Sequence, residues 1–225
     1  MDIRLMFQYK GPKTAKLRME TEWFNEKAAD LLIQDMLKTG RMKEIIVLDE
    51  LGREWTVKEF QKLREKAEEE PRNPIIYFDG GFNRLNGEAG IGVVIYYDKG
   101  PDQYRIRYNA KLSELLSSNE AEYAALYNAV DILQQMDFQQ TLCNIKGDAQ
   151  GVLKQLAGEW PCYEESLNWW LDKIEEKIKS LGLKMSYEVI PRNENKEAHK
   201  LASQALKNQM IDSHLKIDPH HNRNN

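Results

Sequence analysis

Apolar and polar side chains alternate from Ile3 to Lys10 and again from Lys16 to Phe24, with the turn-forming segment GPKTA between them. A period of two predicts a β-hairpin. The period then changes. Asn25 is suited to cap a helix over about Glu26 to Lys38, where Ala28, Leu31, Leu32 and Met36 keep helical spacing, and Gly40 is suited to end it. KEIIVLD at 43–49 predicts a strand and Leu51-Gly52 a turn. Thr56 with Glu59 forms a capping box for a helix through about Glu68. The expected first unit, residues 1–70, is a small α+β domain in the order β-β-α-β-α.

The segment AEEEPRNP at 67–74 carries three successive glutamates and two prolines, which suits a linker or a short surface loop. The pattern then predicts a strand PIIYFDGG ending at Asp79, a second strand at 88–98 and an alternating third at 104–112. Ser117 and Glu120 suit a capping box for a helix from about Asn119 to Met136. A strand at 141–148, helices at 149–156 and 163–180, a strand at 183–191 and a helix from Asn193 or Asn195 to about Asn208 complete a second unit, residues 75–209. The polar stretch 210–225 is expected to fray. Its His214, His220 and His221 offer a metal in solution some ligands, but a disordered end is the simpler expectation.

Composition narrows the class. A hydrophobic fraction of 41% with 30% charged residues is that of a globular protein, and no apolar run reaches the length of a membrane span. The charged start MDIRLMFQYKGPK is unlike a signal peptide, so a cytoplasmic protein without membrane contact is expected. Cys143 and Cys162 lack metal-ligand spacing and are expected to be thiols. A net charge of −4 excludes a surface broadly coated in basic residues. The hairpin residues Lys10, Lys13, Lys16 and Arg18 could touch phosphates, but Glu20 and Glu22 follow at once. A solvated edge that discourages aggregation is the expected role.

Four segments bear the candidate chemistry: YFDGG at 77–81, SSNEAEYAAL at 117–126, KGDAQ at 146–150 and PRNENKEAHKLA at 191–202. Singly, each acid has an ordinary use. Asp79 could begin a turn, Glu122 could face a helix dipole and Asp148 could cap a helix. Together, with AGIGVVI after the first acid and DAQGVLKQLAGEW from the third, the segments resemble the ribonuclease H superfamily in order and spacing over about residues 75–207. The resemblance is to prokaryotic type I and reverse-transcriptase-like ribonuclease H proteins. It implies an α/β fold, a mixed five-stranded sheet with helices on both faces, preceded here by the small α+β domain. It further implies that Asp79, Glu122 and Asp148 converge and hold Mg2+ or Mn2+ for cleaving the RNA strand of an RNA–DNA hybrid. Gly80, Asn119 and Gln150 stand where the family contacts substrate, although Gln150 could equally be a first-turn surface residue. An amide suits minor-groove recognition because it donates and accepts.

Two departures stand out. The turn after Asp79 reads GFNRLNGEAG, with Phe82 and Leu85 at positions where the family places polar contacts; Asn83 or Asn86 could substitute. The family's last helix usually carries Ala-Asp-x-Leu-Ala, and here reads Ala198-His199-Lys200-Leu201-Ala202. His199 could ligate through a neutral nitrogen and would favour Mn2+, or it could be a surface residue of a decayed site. Glu197 lies about 200° around the helix from it and Glu194 at or before the helix start, so neither replaces the missing acid. The expected functions are a two-metal endonuclease whose ligands are Asp79, Glu122, Asp148 and His199, or a relative that binds hybrid or structured nucleic acid without cleaving it. A related chemistry on another substrate, or a partner role set by residues 1–70, is the remaining option.

Overall fold

A computed structural model describes residues 1–13 and 15–217. The chain divides into two compact units, Met1–Glu68 and the part from Glu69 onward.

The first unit contains β1 (Asp2–Tyr9), β2 (Leu17–Glu20), β3 (Phe24–Asn25), α1 (Ala29–Lys38), β4 (Met42–Asp49), β5 (Glu54–Thr56) and α2 (Val57–Glu69), the last running one residue past the unit's boundary. Its antiparallel sheet has the order β2-β1-β4-β5, with the short β3 also on β1. Alternation along β1 buries Ile3, Leu5 and Phe7 against Ile33, Met36, Val47 and Phe60. Asn25 caps the turn entering α1 by accepting from Lys27 N (2.9 Å). Thr56 and Glu59 exchange capping bonds at α2 (2.9 and 3.3 Å). The buried Asp49 holds the turn that follows it, accepting from Leu51 N (3.0 Å) and Arg53 N (2.9 Å) through one oxygen and Arg53 Nε (2.7 Å) through the other.

The second unit contains β6 (Arg72–Asn83), β7 (Glu88–Lys99), β8 (Asp102–Leu112), α3 (Ser118–Gln135), β9 (Leu142–Gly147), α4 (Gln150–Leu156), α5 (Glu165–Ser180), β10 (Lys184–Val189), α6 (Lys196–Leu206) and β11 (Asp212–Ile217). The sheet order is β10-β9-β6-β7-β8-β11, with β10–β9 and β9–β6 parallel and the rest antiparallel. Ile76, Phe78, Ile91, Val93 and Ile95 pack with α3 and α5 through Leu126, Leu133, Ile174 and other buried residues, while Val94 packs with Ala198 and Leu201 of α6. Both cysteines are free, and burial pushes the Cys143 thiol up to about 12. No described helix is long and apolar enough to cross a membrane.

Three expectations need correction. The strand expected to end at Asp79 runs on to Asn83, because it stays paired with β7 over that length. The connection between the units is shorter than 67–74, because α2 runs to Glu69 and β6 already starts at Arg72. Residues 212–217, expected to fray, form a sixth strand on β8. Buried Asn109 of β8 draws the chain there: its Oδ1 accepts from Ile211 N (2.6 Å), and its Nδ2 donates to Leu201 O and Gln209 O (2.9 Å each). His214 lies with its Nε2 2.6 Å from the Tyr97 hydroxyl, a tie to the sheet. His220 and His221 lie outside the described residues.

Candidate active site

The central strand β6 pairs with β9 only as far as Tyr77 opposite Lys146. Continued two residues further, that register would set Asp79 level with Asp148, at the point where the strands have parted. Asn195 sits in the gap. Only 1% exposed, it donates through Nδ2 to Phe78 O (2.9 Å) and to Asp148 Oδ1 (2.6 Å). It is also the residue preceding α6, yet its side chain makes no capping bond there. The parted strands have taken the amide that sequence alone would give to the helix.

Glu122 comes from the first turns of α3. Ser117 caps that helix, accepting from Glu120 N (3.1 Å), while the buried Glu120 carboxylate accepts from Leu116 N (2.6 Å), one residue before the reciprocal partner a capping box implies. Gly80 lets the helix approach: a Cβ there would overlap the backbone of Ala121 and Glu122. A similar device seats α6. A Cβ on Gly92 would overlap Ala198 O and Ala202 N, and one on Gly90 would overlap Ala202 O. This close seating sets His199 beside β6, with Nδ1 3.1 Å from Asp79 Oδ2. Arg192 Nη2 is 3.2 Å from His199 Nε2 and 3.3 Å from Nδ1. Arginine only donates. Nδ1 faces the Asp79 carboxylate and donates to it, while Arg192 lies against the ring, about equally far from both nitrogens.

A family profile described as reverse transcriptase-like matches residues 77–205, a span that holds all four of these positions. The chain belongs to the reverse transcriptase-like family of the ribonuclease H-like superfamily. It is 41% identical over 214 residues to the uncharacterized protein YpeP of Bacillus subtilis, covering 95% of this chain and 94% of that one, so the likeness takes in most of the first unit. It is 28% identical over 130 residues to ribonuclease HI of Halobacterium salinarum, covering 58% of this chain and 62% of that one. Among solved structures, LC11-RNase H1 in complex with an RNA/DNA hybrid superposes with a TM-score of 0.52 at 29% identity, covering 60% of this chain and 98% of that one.

Within this ribonuclease H-like site the acids sense one another. Burial raises the pKa of Asp79; the hydrogen bond and charge of His199 and the more distant Arg192 act against it, while Asp148 adds to it. Burial, then the charges of Asp79 and Asp148, push Glu122 up to about 7. A hard divalent cation offsets this kind of crowding, and carboxylate oxygens are its preferred ligands. The donor set therefore fits a divalent ion held by Asp79, Glu122 and Asp148. Even so, among the described residues no three His, Cys, Asp or Glu side chains are grouped to hold an ion as they stand. Asp79 and Asp148 instead bond His199 and Asn195.

Asn119 and Gln150 are exposed near the starts of α3 and α4, beside the acids in sequence. Glu197 belongs elsewhere: it pairs with Arg107 Nε (2.8 Å) and Arg105 (3.5 Å) and accepts from the Tyr96 hydroxyl (3.3 Å). Sequence reasoning missed Arg192 and Asn195 as members of the site. Their only signal was proximity to His199, at seven and four residues before it.

Proposed function

We propose that the second unit is a metal-dependent endonuclease that hydrolyses the RNA strand of RNA–DNA hybrids. The observation that carries this reading is that Asp79, Glu122 and Asp148 stand close enough for burial, and then the charges of Asp79 and Asp148, to push Glu122 up to about 7. Such a site is unfavourable to fold empty and favourable to fold around cations. Held there, two ions would supply a water activated for in-line attack and would neutralise the leaving oxygen, giving 5′-phosphate and 3′-hydroxyl ends. The protein's own part is placement. Asp79, Glu122 and Asp148 would hold the ions, Asn195 orients Asp148, and His199 orients Asp79 or would offer a ring nitrogen as a further ligand. Gly80, Asn119 and Gln150 would meet the hybrid. Imidazole is softer than carboxylate, so Mn2+ should serve better than Mg2+.

A second reading is a hybrid-binding protein that does not cut. It is favoured by His199, whose two nitrogens already face Asp79 and Arg192. One experiment separates the two. Cleavage of a hybrid labelled in the RNA strand is followed with Mg2+ and with Mn2+ for the wild type, Asp79→Asn and His199→Asp. The endonuclease reading expects wild-type cleavage that is stronger in Mn2+, its loss in Asp79→Asn, and a shift of preference toward Mg2+ in His199→Asp. Hybrid binding with no cleavage under either metal would establish the second reading instead.

A further inference from the structure

The sheet of the first unit ends at β2, and among the described residues no strand pairs with its outer side. Residues of β2 face those of β1 in a fixed register, Met6 opposite Glu20 and Gln8 opposite Arg18, and one residue beyond the strand Thr21 N donates to Leu5 O (2.9 Å). Hydrogen-bonded and non-bonded pairs alternate along an antiparallel ladder. Counting back from Thr21, the main-chain groups of Met19 and Leu17 turn to β1, and those of Arg18 and Glu20 turn to the open edge. Side chains alternate as well. Arg18 and Glu20 share one face, while Leu17 and Met19 share the other and are 54% and 48% exposed. The charges run Lys16, Arg18, Glu20, Glu22, basic before Met19 and acidic after it.

That order is self-complementary about Met19. We propose that two copies of this chain associate by antiparallel pairing of β2 with β2 across a two-fold axis at Met19. In this register Arg18 lies opposite Glu20 of the partner subunit, and the main chains of these two residues exchange both hydrogen bonds. Lys16 lies opposite Glu22 of the partner subunit, and the two Met19 side chains meet on the other face. Moving the axis one residue, to Arg18 or to Glu20, sets like charges opposite each other, which is unfavourable. A two-fold pairing uses the same edge in both copies and closes at a dimer, so it covers the exposed strand without starting a fibre. One strand pairing is a small interface, and the dimer is accordingly weak and concentration-dependent.

Sedimentation velocity of the full chain over a wide concentration range tests this. The wild type is expected to shift from monomer toward twice its mass as concentration rises. Arg18→Glu sets Glu opposite Glu, and Glu20→Arg sets Arg opposite Arg, so each variant alone is expected to stay monomeric. Mixed in equal amounts, the two become complementary and are expected to associate as the wild type does. The mixture also controls for the loss of the Arg4–Glu20 ion pair (3.3 Å) within one copy, and circular dichroism verifies that each variant is folded. A wild type that stays monomeric throughout, a single variant that still dimerises, or a folded mixture that fails to associate would each overturn the proposal.

Discussion

Asn195 is a small residue with two tasks. Its amide nitrogen bridges the Phe78 carbonyl and the Asp148 carboxylate, so one side chain joins the central strand to a proposed ion ligand. Asn195→Ala strands the buried Phe78 carbonyl and the half-buried Asp148 carboxylate and should cost about 1–3 kcal/mol in a denaturant titration. Removing a residue that orients a ligand should also weaken Mn2+ binding about 10–100-fold by calorimetry. Glu122 makes a prediction of opposite sign. Its ordinary value of 4.5 rises to about 7 in the folded protein, so the native state binds more protons than the unfolded chain between those values. Stability of the metal-free protein should then fall as pH rises through that window, with the full penalty present above it. Glu122→Gln removes the penalty. At pH 8 without divalent ions it should raise Tm by about 3–6 °C, since solvent screens part of the penalty at this half-buried carboxylate, and it should give no gain near pH 4.5. Asp148 and Glu122 were legible in the sequence because each stands beside a local signal, a strand end or a helix start; Asp79 was legible from its segment YFDGG, although it lies inside β6 and not at its end. Asn195 and Arg192 were not, because their partners lie on distant strands or depend on how α6 is seated.

At the scale of elements, the site exists because α3 and α6 approach the sheet more closely than side chains normally allow. Gly80 permits the first approach, and Gly90 and Gly92 the second. Gly92→Ala drives a methyl group into Ala198 O and Ala202 N, so α6 must shift away from β7. A cost of about 1–3 kcal/mol or more is expected in Tm measurements, with loss of the His199–Asp79 contact. Gly151→Ala is the matched control. It lies in α4 with nothing near its would-be Cβ, and should be neutral or stabilising by up to about 1 kcal/mol. Most elements could be read from periodicity and caps, since those signals are local. β11 could not: its sequence DSHLKI carries a strong polar signal, and what fixes it is Asn109, about a hundred residues earlier. The same limit hid the short β3 and β5, which gain meaning only beside β1 and β4.

At the scale of the whole molecule, charge and stability divide between the units. Met1–Glu68 carries 14 Lys and Arg against 13 Asp and Glu, which leaves 18 against 23 for the remainder, so the acidic excess lies in the unit that bears the crowded carboxylates. Each unit also has its own buried cluster, one around Phe60 and the other around Phe78 and Leu126. Cores that share no residues need not melt together, and a chain built this way departs from a single two-state transition. Calorimetry should resolve two transitions that respond to different perturbations. Phe60→Ala empties a fully buried position and should lower only the transition of the first unit, by the equivalent of about 3–5 kcal/mol. If the proposed site holds Mn2+ only in the folded second unit, the ion should raise that unit's transition in proportion to the logarithm of its concentration and leave the other in place. Glu122→Gln should abolish most of the Mn2+ effect while leaving the first transition unchanged. A single transition that moves as a whole under Phe60→Ala and under Mn2+ alike would mean that the two cores are energetically one. Residues 1–68 would then have to be counted as part of the scaffold of the site.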